Sequence, residues 1–298
     1  MVASKAAATV AAYRYSFRLF HKFTDLHGLN SLPATAMDVA LFLEHQRLLG
    51  SAPSTLATLL CGISWMHTIT GHSPPADSPI CRAVIEGAKR LATPPPCRTI
   101  PATRPMLLSL YQAVHRTPSL SVSRIYVLCL FAYAGCLRFD EVVALKFADV
   151  IRHAEGLRLI LRKSKTDQHK LGAGVELAAS GGTLCPLAAY MHYRAQLPSS
   201  QTAPAALLFP SSKGGRPIAR NTCVTHVRRI LTADGSFPTA ARITMHSFRI
   251  GCATALLELG TDSADIRAHG RWRSDRSLDR YLRPNREHQL NVSRRLGL

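Results

Sequence analysis

Three consecutive prolines, Pro94, Pro95 and Pro96, limit most strongly what this chain can fold into. Each proline removes an amide donor and holds φ near −65°. A run of three is therefore excluded from helix and sheet interiors and drawn into extended geometry. The run sits inside Thr-Pro-Pro-Pro-Cys-Arg-Thr-Ile-Pro, between two long stretches of apolar periodicity. It is read as a linker over residues 93–103, joining an N-terminal domain, 1–92, to a second domain, 104–298. A length of 298 residues suits this division, since domains usually run to roughly 100–200 residues.

The N-terminal part reads as four helices. Tyr13, Phe17, Phe20 and Phe23 recur at helical spacing between Lys5 and Leu26, and Gly28 supplies a stop. A second helix opens after Pro33 with Val39, Phe42 and Leu43 on one face and ends before Gly50. A third runs from Pro53 towards Gly71 with Leu56, Leu60 and Ile63 inward, and a fourth spans Pro79 to Ala92. Beyond the linker, helical patterns cover Arg104 to His115 and Ser123 to Ala134. The period then changes. Between Ala148 and Ala179 the short β-like pieces VIRH, LRLILR and VELA, separated by Glu155-Gly156 and a polar turn, predict a small antiparallel sheet. Helices resume at Pro186 to Gln196, Asn221 to Leu231 and His246 to Leu259, followed by short pieces. The expected fold is mainly α with a small antiparallel β-sheet: a helical N-terminal domain followed by a mixed α+β domain.

Charge narrows the partners. Lys and Arg number 37 against 18 Asp and Glu, a net +19. Residues 1–103 hold 9 basic and 5 acidic side chains, whereas residues 104–298 hold 28 and 13. The second part is the stronger polyanion binder, and nucleic acid is the expected partner. No run of about 18 apolar residues predicts a membrane span, and the Ala-rich start lacks the apolar block of a secretory signal. A soluble intracellular protein is expected, nuclear in a eukaryote and in the cytoplasm or nucleoid in a bacterium or phage. The eight cysteines show no C-x-x-C pair and no zinc-type Cys/His spacing. They read as reduced core thiols, and no metal is implied.

Three segments carry candidate chemistry. In AGCLRFDEVVALK, Arg138 and Glu141 lie three apart, one face of a helix turn, with Val142, Val143 and Leu145 available to a core. Alone, such a pair is more often a surface ion pair. In MHSFRIGCATALLELG, His246 and Arg249 share the first turn of an apolar helix, where free amides and the dipole suit a phosphate. In HGRWRSDRSLDRYLRPN, Trp272 precedes Tyr281 by nine positions. A tyrosine there reads by default as a packed aromatic. The surrounding Arg271, Arg273, Arg276, Arg280 and Arg283 point instead to a phosphate backbone.

Taken in order, these segments resemble the catalytic domain of the tyrosine recombinase and phage integrase family. That family's pattern is G-x-x-R-x-x-E/D, a lysine in a β-hairpin, H-x-x-R, a G-H or G-W step, and a tyrosine about nine residues later. Here Gly135, Arg138 and Glu141, then Lys165, His246 and Arg249, Gly270 and Trp272, and Tyr281 fill those positions. Many integrases carry a second histidine where Trp272 stands, whereas Cre recombinase has tryptophan, so a proton-transfer share for this position is not carried over. The segment LRKSKTDQHK offers Lys163, Lys165 and Lys170. Lys165 is preferred because its Ser-Lys-Thr setting looks like the S-K-T of lambda-type integrases. The motifs cover residues 104 to about 285, and the N-terminal domain resembles the family's DNA clamp by architecture alone.

The resemblance implies a site-specific recombinase acting on double-stranded DNA through a 3′-phosphotyrosyl intermediate and a Holliday junction, as in mobile genetic elements. It implies a homotetramer on synapsed DNA, and a monomer or weak oligomer when free. Tyr281 would be the nucleophile and His246 its proton acceptor. Arg138, Arg249 and Trp272 would hold the phosphate, and Lys165 would protonate the leaving 5′ oxygen. Glu141 would orient a neighbour. No cofactor is implied. Two other readings fit the residues: a type IB topoisomerase-like or DNA-end-resolving strand transferase, and a catalytically silent architectural DNA-binding protein.

Overall fold

The computed structural model describes residues 5–93, 99–162, 172–283, 290–291 and 293–294. The chain divides into two compact units, Met1–Pro96 and Cys97–Leu298.

The first unit is built from α1 (Ala7–His27), α2 (Ala36–Leu48), α3 (Pro53–Ile69) and α4 (Pro79–Leu91). The boundaries follow local chemistry. Gly28 ends α1 in the left-handed region, a conformation that costs glycine least. Thr35 and Asp38 cap α2 reciprocally, and prolines occupy the first turns of α3 and α4. Phe20, Phe42, Leu43, Leu56 and Ile63 are fully enclosed, with the Phe20 and Phe42 rings 5.3 Å apart edge to face. The α1–α3 contact is close enough that Gly62 lies directly against the Ser16 side chain, leaving no room for a Cβ. Buried His67 staples the loop before α2, its Nε2 accepting from the Ala34 amide at 3.0 Å.

The second unit centres on α6 (Leu120–Ala134), in which every residue from Val122 to Ala132 is buried. A helix apolar on all sides must be surrounded. Around it lie α5 (Arg104–Arg116), α8 (Pro186–Ala195), α9 (Arg220–Asp234) and α10 (His246–Glu258). The short helix α7 (Phe139–Val143) follows α6 directly. The sheet is antiparallel in the order β1 (Val150–His153), β2 (Gly156–Leu161), β3 (Ala173–Ala178). Leu159 pairs with Val150 on one side and Val175 on the other. Leu157, Leu159, Leu161, Val175 and Leu177 all turn to the core, the alternation expected of a sheet with one wet face. The connection from β2 to β3, with Lys163, Lys165 and Lys170, lies outside the described residues. Two short helices finish the catalogue, α11 (Ser263–Gly270) and α12 (Asp275–Asp279). Among the described residues no helix is long and apolar enough to cross a membrane, and the described cysteines are free thiols.

The last part of the predicted linker is not a loose tether. Ala102 is 2 % exposed, and its amide donates to the Ser247 carbonyl of α10 at 2.9 Å. Gly251, one turn further along α10, faces the Ala102 backbone so closely that a Cβ would collide with its carbonyl. This seam holds the entry strand against the helix that begins at His246. Gly251→Val is therefore expected to lower stability by about 1–3 kcal/mol, the usual cost of overpacking, read as a fall in the urea midpoint. An unchanged midpoint would mean that the seam opens at no cost.

Candidate active site

The C-terminal end of α6 organises the site. A helix end leaves carbonyls without intrahelical donors, and here Ala134, Gly135 and Cys136 supply three in succession. The chain then turns sharply, with Cys136 at φ +48°. His269 Nε2 meets the Ala134 oxygen at 2.8 Å. Arg271 donates from Nη1 to Gly135 at 3.3 Å and from Nη2 to Cys136 at 3.4 Å. Arg249 donates from Nη1 to the Cys136 oxygen and from Nη2 to the Gly270 oxygen at 2.6 Å. Cationic donors at this end also oppose the negative pole of the helix.

Arg138 follows this turn as the N-cap residue of α7. Glu141 accepts the Arg138 amide at 2.9 Å and its Nη1 at 2.7 Å, and it accepts Arg271 Nη2 at 3.2 Å. The carboxylate is almost wholly enclosed, its side chain 2 % exposed. Burial pushes its pKa up, but the Arg138 amide and the Arg271 and Arg138 guanidiniums outweigh this and hold it below the usual value. The pair is thus not the surface ion pair that the spacing alone allows. The remaining donors of Arg138 have no partner among the described residues.

Arg249 is fully enclosed. Its guanidinium lies 4.3 Å from the Trp272 ring centroid and 5.2 Å from that of Tyr281. Tyr281 packs 5.0 Å from His246 and 5.0 Å from Trp272, centroid to centroid. Trp272 Nε1 is a buried donor without a partner among the described residues. Gly270 is needed here because the Trp272 ring folds back over it, and a Cβ would overlap the indole. Thr254 of α10 fixes the tyrosine segment from below, donating to the Tyr281 carbonyl at 3.4 Å and accepting the Arg283 amide at 3.1 Å.

His246, the first residue of α10, carries the largest electrostatic perturbation of the site. Crowding by protein atoms, followed by Arg249, Arg220, Arg138 and Arg283, lowers its pKa to about 4, although part of the residue reaches solvent. Its imidazole is consequently neutral at physiological pH.

Arg138, Glu141, His246, Arg249, Trp272 and Tyr281 therefore converge on one place, whereas Lys163, Lys165 and Lys170 lie outside the described residues. Two further participants are not evident from sequence. Arg220 opens α9, donates to Asp140 at 2.9 Å and lies 4.7 Å over Phe139; no motif marks a residue that distant in the chain. Arg271 belongs to an arginine-rich run that suggests phosphate contacts, but its guanidinium is turned into the protein. Among the described residues no group of three or more His, Cys, Asp or Glu side chains is arranged to hold a metal.

Residues 105–288 match the model of the phage integrase family. An integrase/recombinase XerD homolog of Selenomonas ruminantium is 24 % identical over 294 residues, covering 94 % of this chain and 82 % of that protein. The fold is shared with XerH site-specific recombinase bound to a palindromic difH substrate, at TM-score 0.63 and 14 % identity, covering 96 % of this chain and 78 % of that one. It is shared also with Tn1549 transposon integrase in complex with circular intermediate DNA, at TM-score 0.62 and 12 % identity, covering 94 % and 99 %. The lambda integrase tetramer bound to a Holliday junction gives TM-score 0.59 and 17 % identity, covering 94 % and 72 %.

The His246 ring should titrate near 4 in the protein without DNA, measurable from its ring NMR shifts. Because the folded value is depressed, the unfolded chain binds the proton first. The stability that neutral His246 supports is complete above the ordinary value near ~6.5 and is lost as pH falls from there towards 4. A midpoint near ~6.5 would show that neither burial nor the four arginines act on the ring.

Proposed function

The chain belongs to the phage integrase family, and we propose that it is a tyrosine recombinase that cuts and rejoins DNA through a covalent bond between Tyr281 and a backbone phosphate. The observation that carries this reading is the packing of the Tyr281 ring 5.0 Å from His246 and 5.2 Å from the Arg249 guanidinium. That packing sets the phenol beside one guanidinium able to meet an anion and one imidazole able to take a proton, the two groups that a tyrosine attacking a phosphate needs.

The chemistry follows from what a phosphodiester lacks. Its non-bridging oxygens repel a nucleophile and gather charge around five-coordinate phosphorus, so fixed positive donors must meet them. Arginine stays charged at any working pH and can meet phosphate with two parallel bonds. Arg138 has donors to spare. Arg249 is covered by Trp272 and Tyr281 in the DNA-free state, and the Tyr281 ring must swing off it before a phosphate can reach it. That same displacement carries the phenol towards the phosphorus and exposes the indole N–H of Trp272.

A phenol, with a pKa near ~10 in general, attacks poorly until its proton is withdrawn. Neutral His246 accepts that proton as the Tyr281 oxygen bonds to phosphorus and the P–O5′ bond breaks. Lys165 donates a proton to the leaving 5′ oxygen. The phosphotyrosyl ester keeps the phosphoester bond, so a 5′-hydroxyl from a second strand can attack it, expel Tyr281 and restore an intact backbone without nucleotide hydrolysis. Exchange between two duplexes then proceeds through a four-way junction, with four protomers supplying four tyrosines. The positive charge excess of residues 104–298 supplies the electrostatic attraction for the DNA.

Tyr281→Phe is expected to bind a nicked suicide substrate normally and to form no detergent-stable DNA adduct on a denaturing gel. A surviving adduct would remove Tyr281 as nucleophile, and tight binding without any adduct in the unaltered protein would favour an architectural DNA-binding role. For the lysine, Lys165→Ala should cleave slowly and recover on a substrate whose 5′ leaving atom is sulfur, because a thiolate departs without a proton. Failure of that rescue would redirect the assignment to Lys163 or Lys170.

A further inference from the structure

Arg271 occupies a position that ordinarily suits glycine. It ends α11 at φ 57° and ψ 41°, in the left-handed region that costs a residue with a Cβ roughly 1 kcal/mol. It is also a largely buried cation, its side chain 17 % exposed, and burial of that kind is unfavourable unless the charge is paired and its donors are used. Both costs fall on the residue directly before Trp272, far in sequence from Arg138 and His246. A side chain held there at such cost must be offset by what it touches.

What it touches is the framework of the site. Nη1 donates to the Gly135 oxygen at 3.3 Å and to the His269 oxygen at 3.0 Å. Nη2 donates to the Cys136 oxygen at 3.4 Å and to Glu141 Oε2 at 3.2 Å. Nε is buried and has no partner among the described residues. Both terminal nitrogens are thus committed inside the protein, and the donor left over is enclosed, out of reach of a DNA phosphate. Two of these four acceptors lead on to the arginines assigned to the phosphate. The other oxygen of Glu141 holds Arg138 Nη1 at 2.7 Å, and the Cys136 carbonyl is also the acceptor of Arg249 Nη1.

We infer that Arg271 is a positioning residue for both phosphate-binding arginines, fixing Arg138 through the shared Glu141 carboxylate and Arg249 through the shared Cys136 carbonyl. With Arg271 in place Glu141 is held from two sides, so Arg138 has one orientation available. Without it the carboxylate answers to Arg138 alone, and the pair can turn together away from the phosphate. Lysine does not substitute, because a single ammonium cannot reach acceptors spread across a planar fork. The geometric part of this inference stands on the contacts alone, and its catalytic consequence rests on the recombinase reading above.

The test uses Arg271→Gly, which suits the left-handed backbone, beside Arg271→Lys. Both should bind the DNA site within about 3-fold of the unaltered protein, while single-turnover adduct formation on a suicide substrate falls about 10²-fold, the scale of loss from a slightly misplaced catalytic group. The double variant Arg138→Ala with Arg271→Gly should be no slower than Arg138→Ala alone, since coupled residues are not additive. Independently of activity, ¹⁵Nε relaxation should show the Arg138 side chain more mobile in Arg271→Gly. Full-rate cleavage by Arg271→Gly, rescue by lysine, multiplicative losses in the double variant, or weaker binding with a shallower salt dependence would each overturn the inference. If the unaltered protein forms no adduct, the recombinase reading fails on its own. The Arg138 relaxation then decides the positioning role, and an unchanged signal rejects it.

Discussion

Everything in the second unit depends on how the end of α6 is satisfied. Three consecutive carbonyls there face inward, and the protein meets them with His269, Arg271 and Arg249. A buried carbonyl without a donor is costly, and a buried arginine without acceptors is worse. Each requirement answers the other. The consequence is that α11 and the segment after it must return to α6, although Gly135 and Arg271 stand 136 positions apart in the chain. That return brings Trp272 and Tyr281 over Arg249.

Electrostatics explains why so many cations can sit together. Arg138, Arg220, Arg249, Arg271 and Arg283 crowd a small region, and the one carboxylate buried among them, Glu141, neutralises only part of that charge. Together with burial, the surplus opposes protonation of His246. In the proposed reaction a phosphate would supply the missing negative charge, ease that repulsion and make a protonated imidazole tolerable.

Much of the local structure could be read directly. The four helices of the first unit follow from apolar spacing and from Gly28, Thr35, Pro53 and Pro79 as start and stop signals. The three strands follow from the change of period after Ala148. The end of the proposed linker departs from a simple reading, because nothing in its composition announces that Ala102 is packed against Gly251. Burial of that kind is a property of two segments, and a pattern within one segment cannot display it. Arg138 illustrates the same limit. Its spacing to Glu141 allows a solvated pair, and only the neighbouring Arg271 and the enclosing core make it a buried one.

The amino-acid sequence by itself determined the helix and strand pattern, the division near the three prolines, the charge excess, and the residue types able to bind and attack a phosphate. Those properties are local or additive, set by spacing, by backbone restriction and by counting. The tertiary structure decided which of the many arginines spend their donors inside the protein and which keep donors without a partner among the described residues. Arg271 and Arg138 are equally arginine in sequence, yet one spends its donors on carbonyls and the other keeps donors free. That difference arises where chain ends distant in sequence share one acceptor, and it exists only once the fold has brought them together.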